Sequence, residues 1–376
     1  MKILFIAEPL TSHTQKWLRF LGEAGHQIYV LSYHNRYANT IKNVSEIAHF
    51  EPVNKNPFVF LKYLLELKKI IKRIKPDALT CHYALGTPGL LAALSGFHPQ
   101  MITILGGIDI YGHRSTNWLR YLIHNKLMAK FIFKTSDMII VGCKDHKQHL
   151  LENGIPGKKI VVIMGDIGLG VDLKMFNNRY DTAQIKRDLD LTGKFVVFCP
   201  RRLVTYTNVD LLVKSVPLLK DKIPNIVLML HTYVADTRYL NYIKELARKI
   251  GIENNVIFTG ERAYEEMPLL YCASDCTVSI SSFDGTPSSI AESMACRVPV
   301  IAYDIPSIRE WVKDGESGIL IKKLDPEEIF KAILKIHSDK KGTEKIVENA
   351  ARFVENDLDI EKCKKALLDL FRNIKA

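Results

Sequence analysis

The sequence predicts an α/β protein built from two doubly wound parallel sheets, and three observations carry that prediction. The first is a run of short, near-continuously apolar segments alternating with longer stretches of helical period: KILFIA, QIYVLS, ALTCHY, MITILGG, DMIIVG and KIVVIM. Strands apolar on both faces and separated by helices belong to a parallel sheet covered on both sides. The second is repetition, because the rhythm lapses after about Gly168 and restarts with KFVVFC, NIVLML, NVIFTG, CTVSIS, PVIAYD and GILI. The third is length: 376 residues exceed one ordinary core, at roughly 100 to 200 residues per domain.

These observations place residues 1–170 in a first domain, 171–193 in a linker around the polar run NNRYDTAQIKRD, and 194–355 in a second domain. Residues 356–376, where Leu367, Leu368, Leu370 and Phe371 lie among lysines, read as an amphipathic helix that packs back on the first domain. Ligands of such sheets sit at the carboxyl ends of the strands. A central cleft between two facing domains is the expectation that follows.

Composition narrows the class. With 47% hydrophobic and 25% charged residues, the chain has the balance of a soluble globular protein. The start MKILFIAEP enters an apolar run without a basic leader region or a small-residue cleavage site, so it reads as a buried strand. No run reaches the roughly 18 apolar residues a membrane span needs. The seven cysteines are odd in number, sit mostly inside apolar segments and form no metal-type CxxC pair, which points to reduced, buried thiols of a cytoplasmic protein.

Charge is one-sided. Residues 1–170 hold 21 Lys/Arg against 11 Asp/Glu, the remainder 31 against 30, and the first part also has 10 of the 12 histidines. A positive field on one half predicts an anionic partner there, a phosphorylated acceptor or an anionic membrane surface. Nucleic acid is not expected, because no recognition motif accompanies the charge. Within this half, PFVFLKYLLELKKIIKRIK (57–75) sets Phe60, Leu64, Leu67, Ile71 and Ile74 on one helical face and Lys62, Lys69 and Arg73 on the other. Such a helix either covers a sheet with a solvated basic face or lies on the inner face of an anionic membrane as a peripheral element. Residues 118–134 repeat the combination.

The segment Ser281 to Pro299, SSFDGTPSSIAESMACRVP, carries the chemistry. Thr286 is suited to cap a helix and Pro287 to occupy its first position, so a helix is expected to start here with its amino end facing the cleft. The free N–H groups of Ser288 and Ser289, with the helix dipole, suit a diphosphate, and Gly285 allows close backbone approach. Asp284 precedes the helix and Glu292 lies within it, so two carboxylates flank one phosphate site. The bland alternative is that both acids merely favour a helix start and face solvent.

Asp284-x7-Glu292 followed by SMACRVPVIAYDIPSIREWVKDGESGILI resembles the signature of the retaining family 4 glycosyltransferases. The earlier segments HTQKWLRFLGEAGHQIYVLS, KPDALTCHYALGTPGLLAA and TSDMIIVGCKDHKQHLLENGIPGKKIVVI resemble the acceptor domain of that family, and GVDLKMF its inter-domain segment. The resemblance implies the GT-B fold, two Rossmann-like domains about a cleft, and transfer of a hexose from a nucleotide-diphosphate sugar to a glycan, lipid-linked or small-molecule acceptor. It implies that Glu292 binds ribose, Asp284 contacts the sugar, and Arg202 meets the diphosphate and stabilises its growing charge, Asp284 and Arg202 being the catalytic pair. Arg201 is a further donor-site residue that could stand in for a missing lysine. The leaving phosphate then takes the acceptor proton, so no cofactor or metal is expected.

This chain departs from the family at Thr207 and Asn208, where a lysine and a glycine stand, and Asp284 replaces the usual glutamate. In the first half His13, at the mouth of a helix, and His82, at a strand end, are candidate acceptor-binding residues, with Asp109 a third. Each histidine could instead only hydrogen-bond its own loop. Rival readings are a nucleotide-sugar epimerase or phosphorylase on the same fold, or a catalytically silent sugar-binding protein, which the departures at Thr207 and Asn208 favour.

Overall fold

All twelve apolar runs form strands in the computed structural model, which describes residues 1–9, 11–37, 41–53, 56–82, 84–97, 100–111, 127–164, 169–232, 236–260 and 262–373. Most of the second basic run, and Gly168, lie outside the described residues. The chain divides into two units, Met1–Gly170 with Glu361–Ala376, and Val171–Ile360.

The first unit holds β1 (Lys2–Ala7), β2 (Gln27–Tyr33), β3 (Val44–Phe50), β4 (Ala78–His82), β5 (Met101–Leu105), β6 (Met138–Val141) and β7 (Ile160–Val162). They pair in the order β3-β2-β1-β4-β5-β6-β7, every pair parallel. The sequence reading missed β3, because VSEIAHF mixes Ser45, Glu46 and His49 into an edge strand that is only half-buried. Helices cover the sheet and bury Leu4, Ile6, Leu79 and Leu105 in a common core.

The helix Ile360–Asn373 belongs to this unit. Its Phe371 meets Trp17 edge-on at 6.3 Å between centroids, both rings fully buried. Lys364 Nζ lies 3.3 Å from Glu23, and the Cys363 thiol donates to the Met164 carbonyl at 3.3 Å.

The second unit holds β8 (Phe195–Cys199), β9 (Ile226–Leu230), β10 (Val256–Phe258), β11 (Cys276–Ser279), β12 (Val300–Tyr303) and β13 (Ile319–Ile321), in the parallel order β10-β9-β8-β11-β12-β13. The polar run expected as a linker is folded into this unit. Phe176 is fully buried against the rings of Tyr264 and Tyr271, at 5.4 and 6.1 Å between centroids. One aromatic anchor inside a polar stretch is enough to dock it, and composition averaged over the run hides it. The two ends of the unit lie side by side: Val171 N–H donates to Leu358 at 2.7 Å, and Ile360 N–H to Val171 at 2.9 Å.

All seven cysteines are free thiols, six of them buried. Among the described residues, no helix is long and apolar enough to cross a membrane.

Candidate functional site

In the second unit the sheet order reverses between β8 and β11, which are hydrogen-bonded neighbours. Loops leaving the carboxyl ends of two strands at such a reversal splay apart and open a crevice. Here the loop after β8 (200–208) and the loop after β11 (280–287) border that crevice. They are knitted together rather than left loose. Asn208 sits in the left-handed region at φ 54°, which asparagine tolerates better than most residues. Its Nδ2 donates to the Ile280 carbonyl at 2.8 Å and to Ser282 Oγ at 2.9 Å. Ser282 N–H donates to the Tyr206 carbonyl at 2.8 Å, and the Tyr206 and Phe283 rings stack at 4.6 Å. Thr207 is buried, its hydroxyl donating to the carbonyls of Val204 and Arg202. The two departures from the family pattern are therefore loop residues with local work to do.

Arg201 lies over this crevice. Its guanidinium forms an ion pair with Asp284, and its Nη1 donates to Ser289 Oγ at 3.3 Å. Both charged side chains are about five-sixths buried, at 17% and 16% exposed. Burial works against the arginine's charge, and the Asp284 carboxylate, helped by Tyr206, Cys199 and Tyr271, offsets it and holds its pKa above the ordinary arginine value. Arg201 Nε is buried and has no hydrogen-bond partner, as does the hydroxyl of Ser281, which also lies on the loop after β11. A buried donor without a partner is costly, and at a crevice it is ready for an incoming acceptor.

Arg202 is not brought to this cluster. It is exposed, and its side chain makes no hydrogen bond or ion pair among the described residues. Arg202 is nevertheless the arginine to which the resemblance gave the diphosphate. Of the two arginines expected at the donor site, the structure places Arg201 beside Asp284.

The helix after β11 runs Ser288–Ala295, one residue later than expected. Pro287 is the cap, extended at ψ 105°, rather than the first helical residue, and no side chain caps the helix. Thr286 is buried beside it. Ile290 N–H turns back to the Pro287 carbonyl at 3.0 Å, while the N–H groups of Ser288 and Ser289 donate to no described protein group. The Asp284 turn is held by its own side chain accepting from Gly285 N–H at 2.8 Å and by Ser307, whose hydroxyl donates to the Asp284 carbonyl at 2.7 Å. Two unpaired amides, the helix dipole, a guanidinium and two serines thus converge at one end of the sheet, a set of donors suited to a diphosphate.

Glu292 lies deeper, 4% exposed. Its two oxygens accept from the hydroxyls of Tyr264 at 2.8 Å and Tyr271 at 2.9 Å. Burial, then the adjoining Glu292 charge, pushes the Tyr271 pKa well up, so that phenol stays a donor. Neither tyrosine was singled out from sequence, and the only available signal was aromatic residues shortly before the strand CTVS.

The first unit has a matching reversal between β1 and β4. Thr14 and His82 bridge it, Thr14 Oγ1 lying 2.8 Å from His82 Nδ1. His82 is buried and His13 half-buried in the first turn of the helix Ser12–Glu23. Asp109 is buried, with Oδ1 accepting from Leu85 N–H at 2.8 Å and Oδ2 from Gly106 N–H at 2.9 Å. Burial raises its pKa to about 6 against the pull of those two amides. This carboxylate ties the loop after β4 to the loop after β5.

Two Rossmann-like units, one of them carrying this donor cluster at its strand reversal, define the class: the chain is a glycosyltransferase with the GT-B type of fold. Residues 181–353 match the family model described as glycosyl transferases group 1, and residues 2–142 the model described as glycosyl transferase 4-like. The chain belongs to this family of group 1, family-4-like glycosyltransferases.

An uncharacterised glycosyltransferase of Methanocaldococcus jannaschii is 28% identical over 69% of this chain and 64% of its own length. The N,N'-diacetylbacillosaminyl-diphospho-undecaprenol alpha-1,3-N-acetylgalactosaminyltransferase of Campylobacter jejuni is 23% identical over 89% of this chain and 88% of its own. Among solved structures, HepE of Anabaena in complex with UDP and glucose superposes with a TM-score of 0.79 at 17% identity, covering 99% of this chain and all of that one. Sucrose-phosphate synthase of Thermosynechococcus elongatus gives 0.84 at 18% identity, covering 100% and 99%.

Proposed function

We propose that this glycosyltransferase takes a hexose from a nucleoside diphosphate sugar and transfers it with retention of configuration. One observation carries the reading: Arg201, buried beside Asp284 with an unpartnered Nε, stands at the free amino end of the helix Ser288–Ala295. The leaving group in such a transfer is a diphosphate whose negative charge grows as the glycosidic bond lengthens. A preorganised guanidinium and two amides aimed at that oxygen stabilise the transition state more than the ground state. The leaving oxygen then accepts the proton of the acceptor hydroxyl on the same face of the sugar. With the charge met in this way we assign the reaction no metal and no cofactor.

In this reading Asp284 has two tasks, holding Arg201 and addressing the sugar, while Glu292 receives the ribose hydroxyls, a carboxylate being able to accept more bonds than those of its two tyrosines. His13 and His82 serve the acceptor. Asp109, with both oxygens engaged by backbone amides, is assigned to shaping the acceptor loops. The crystallised neighbour HepE, solved with UDP and glucose, supports the donor class, and the name of the Campylobacter relative supports a lipid-linked diphosphate acceptor. The buried cation Arg201 at this crevice favours transfer over the reading as a silent sugar-binding protein.

The test is a panel of UDP, GDP and ADP sugars followed by thermal shift and by nucleoside diphosphate release. Saturation at about 100 times Kd raises stability by roughly 2.7 kcal/mol, which singles out the donor. Anomeric coupling constants in the product read the stereochemistry. No stabilisation by any nucleotide sugar, or an inverted product, overturns the proposal.

A further inference from the structure

The helix Pro57–Ile74 turns an unexpected face to solvent. Asn56 caps it by accepting from Phe58 and Val59 N–H, and Lys75 ends it in the left-handed region at φ 51°. Leu67, Ile70 and Ile74 are buried against the sheet, with Phe60, Leu64 and Ile71 packed beside them. The opposite face is not simply basic. Phe58 is 80% exposed, Leu61 53% and Leu65 54%, on successive turns of the helix. The same stripe continues along the axis into exposed Lys68, Lys69, Lys72 and Arg73, with Lys62 beside the leucines. An apolar patch of this kind on a surface helix marks a contact site. The basic residues that extend it favour one occupant, because an anionic bilayer offers an apolar interior under a negative surface over such a length.

A second element repeats the combination. The helix Ala129–Thr135 packs on the same side of the sheet through the helix Thr87–Leu94. It exposes Lys130, Phe131 and Lys134. We infer that this face of the first unit docks on an anionic lipid surface, with Phe58, Leu61 and Leu65 entering the headgroup boundary and the four basic residues lying over lipid phosphates. The inference rests on exposure and charge in the first unit and is independent of the donor reading for the second.

Co-sedimentation of the full chain with vesicles tests it, using phosphatidylcholine alone and an equal mixture of phosphatidylcholine and phosphatidylglycerol. Binding to the mixture at low salt, and little to the neutral vesicles, is expected. The variant K68Q/K69Q/K72Q/R73Q is expected to weaken that binding on the order of 10²-fold, since each basic residue near an anionic surface contributes several-fold. F58S/L61S/L65S is expected to retain binding at low salt and lose it at physiological salt, where screening beyond about 8 Å leaves the apolar insertion to hold the protein. All seven positions are exposed, so thermal melts and nucleotide binding matching the parent establish that the variants fold. The proposal is overturned if the parent chain stays in the supernatant with both vesicles, or if both variants pellet like the parent. It is also overturned if sizing shows a dimer that F58S/L61S/L65S dissociates while vesicle binding is unchanged, which assigns the stripe to a second copy of the chain.

Discussion

Arg201 and Asp284 are 83 residues apart and form an ion pair because they leave the ends of two neighbouring strands. Each would be a costly buried charge alone, and each is the other's partner. The pair therefore also reports on the register of the loop after β8, where one residue decides which arginine faces inward.

Arg201→Ala is expected to lower kcat/KM for glycosyl transfer by a factor on the order of 10² or more, the scale for losing one group that meets transition-state charge. Arg202→Ala is expected to stay near the parent value. Asp284→Asn lowers kcat more than it raises KM, because it loosens Arg201 and the sugar contact together. Steady-state kinetics on the three variants decides this, and a severe loss in Arg202→Ala with a mild one in Arg201→Ala would move the site by one residue.

Tyr271→Phe removes a buried donor from Glu292 and is expected to cost about 1–3 kcal/mol of stability, the penalty for leaving a buried acceptor unsatisfied. Tyr264→Phe costs less, because Tyr264 is half-buried and water can replace its hydroxyl. Both raise KM for the donor with little change in kcat if Glu292 serves the ribose. Urea melts paired with kinetics separate the two effects. Unchanged donor KM in Glu292→Gln as well would take this carboxylate out of the binding site.

Asn208 performs a backbone task and a side-chain task, and two substitutions separate them. Glycine keeps the left-handed conformation and loses the bonds to Ile280 and Ser282, whereas alanine loses both. Asn208→Ala is expected to be less stable than Asn208→Gly by about 1 kcal/mol, the cost of the left-handed region for a residue with a Cβ. Equal denaturation midpoints for the two would mean that φ at this position is free to relax.

His146 is buried, packs edge-on to Tyr111, and has no hydrogen-bond partner on either ring nitrogen. Burial, reinforced by neighbouring His149, lowers its pKa from the ordinary 6.5 to about 4. A depressed folded-state pKa contributes stability that is present above 6.5 and lost as pH falls toward 4. Asp109, raised to about 6, works the other way, its contribution being lost as pH rises through that value. The difference between parent and variant isolates the histidine. His146→Leu is expected to remove about 2 kcal/mol of acid destabilisation between pH 7.5 and pH 5. Parallel stability curves for parent and variant across that range would show that the ring reaches solvent.

Strand identity was legible because apolar runs on both faces have one structural solution. The loops between them were harder to read. Spacing placed the helix start after β11 within one residue, yet it could not say that Pro287 caps the helix instead of starting it, since both conformations share a φ near −65° and differ in ψ. The resemblance gave the diphosphate contact to Arg202, whereas the structure pairs Arg201 with Asp284, a question of side-chain direction. In the helix Pro57–Ile74 apolar residues occur on every side, so periodicity alone left Phe58, Leu61 and Leu65 unassigned until burial distinguished the stripes. Tyr264 and Tyr271 reach Glu292 only through the fold, as residues 28 and 21 positions away.

The second unit interrupts the first in chain order, and this has a consequence for biosynthesis. On the ribosome, the sheet of the first unit emerges early, but Phe371, which covers Trp17, does not emerge until the whole of Val171–Ile360 has been made. The slot around Trp17 stays uncovered throughout that interval, exposing apolar surface to other nascent chains and to chaperones. The second unit, whose two ends Val171 and Ile360 are already bonded to each other, can close first. Translation thus runs opposite to the order in which the two units are completed.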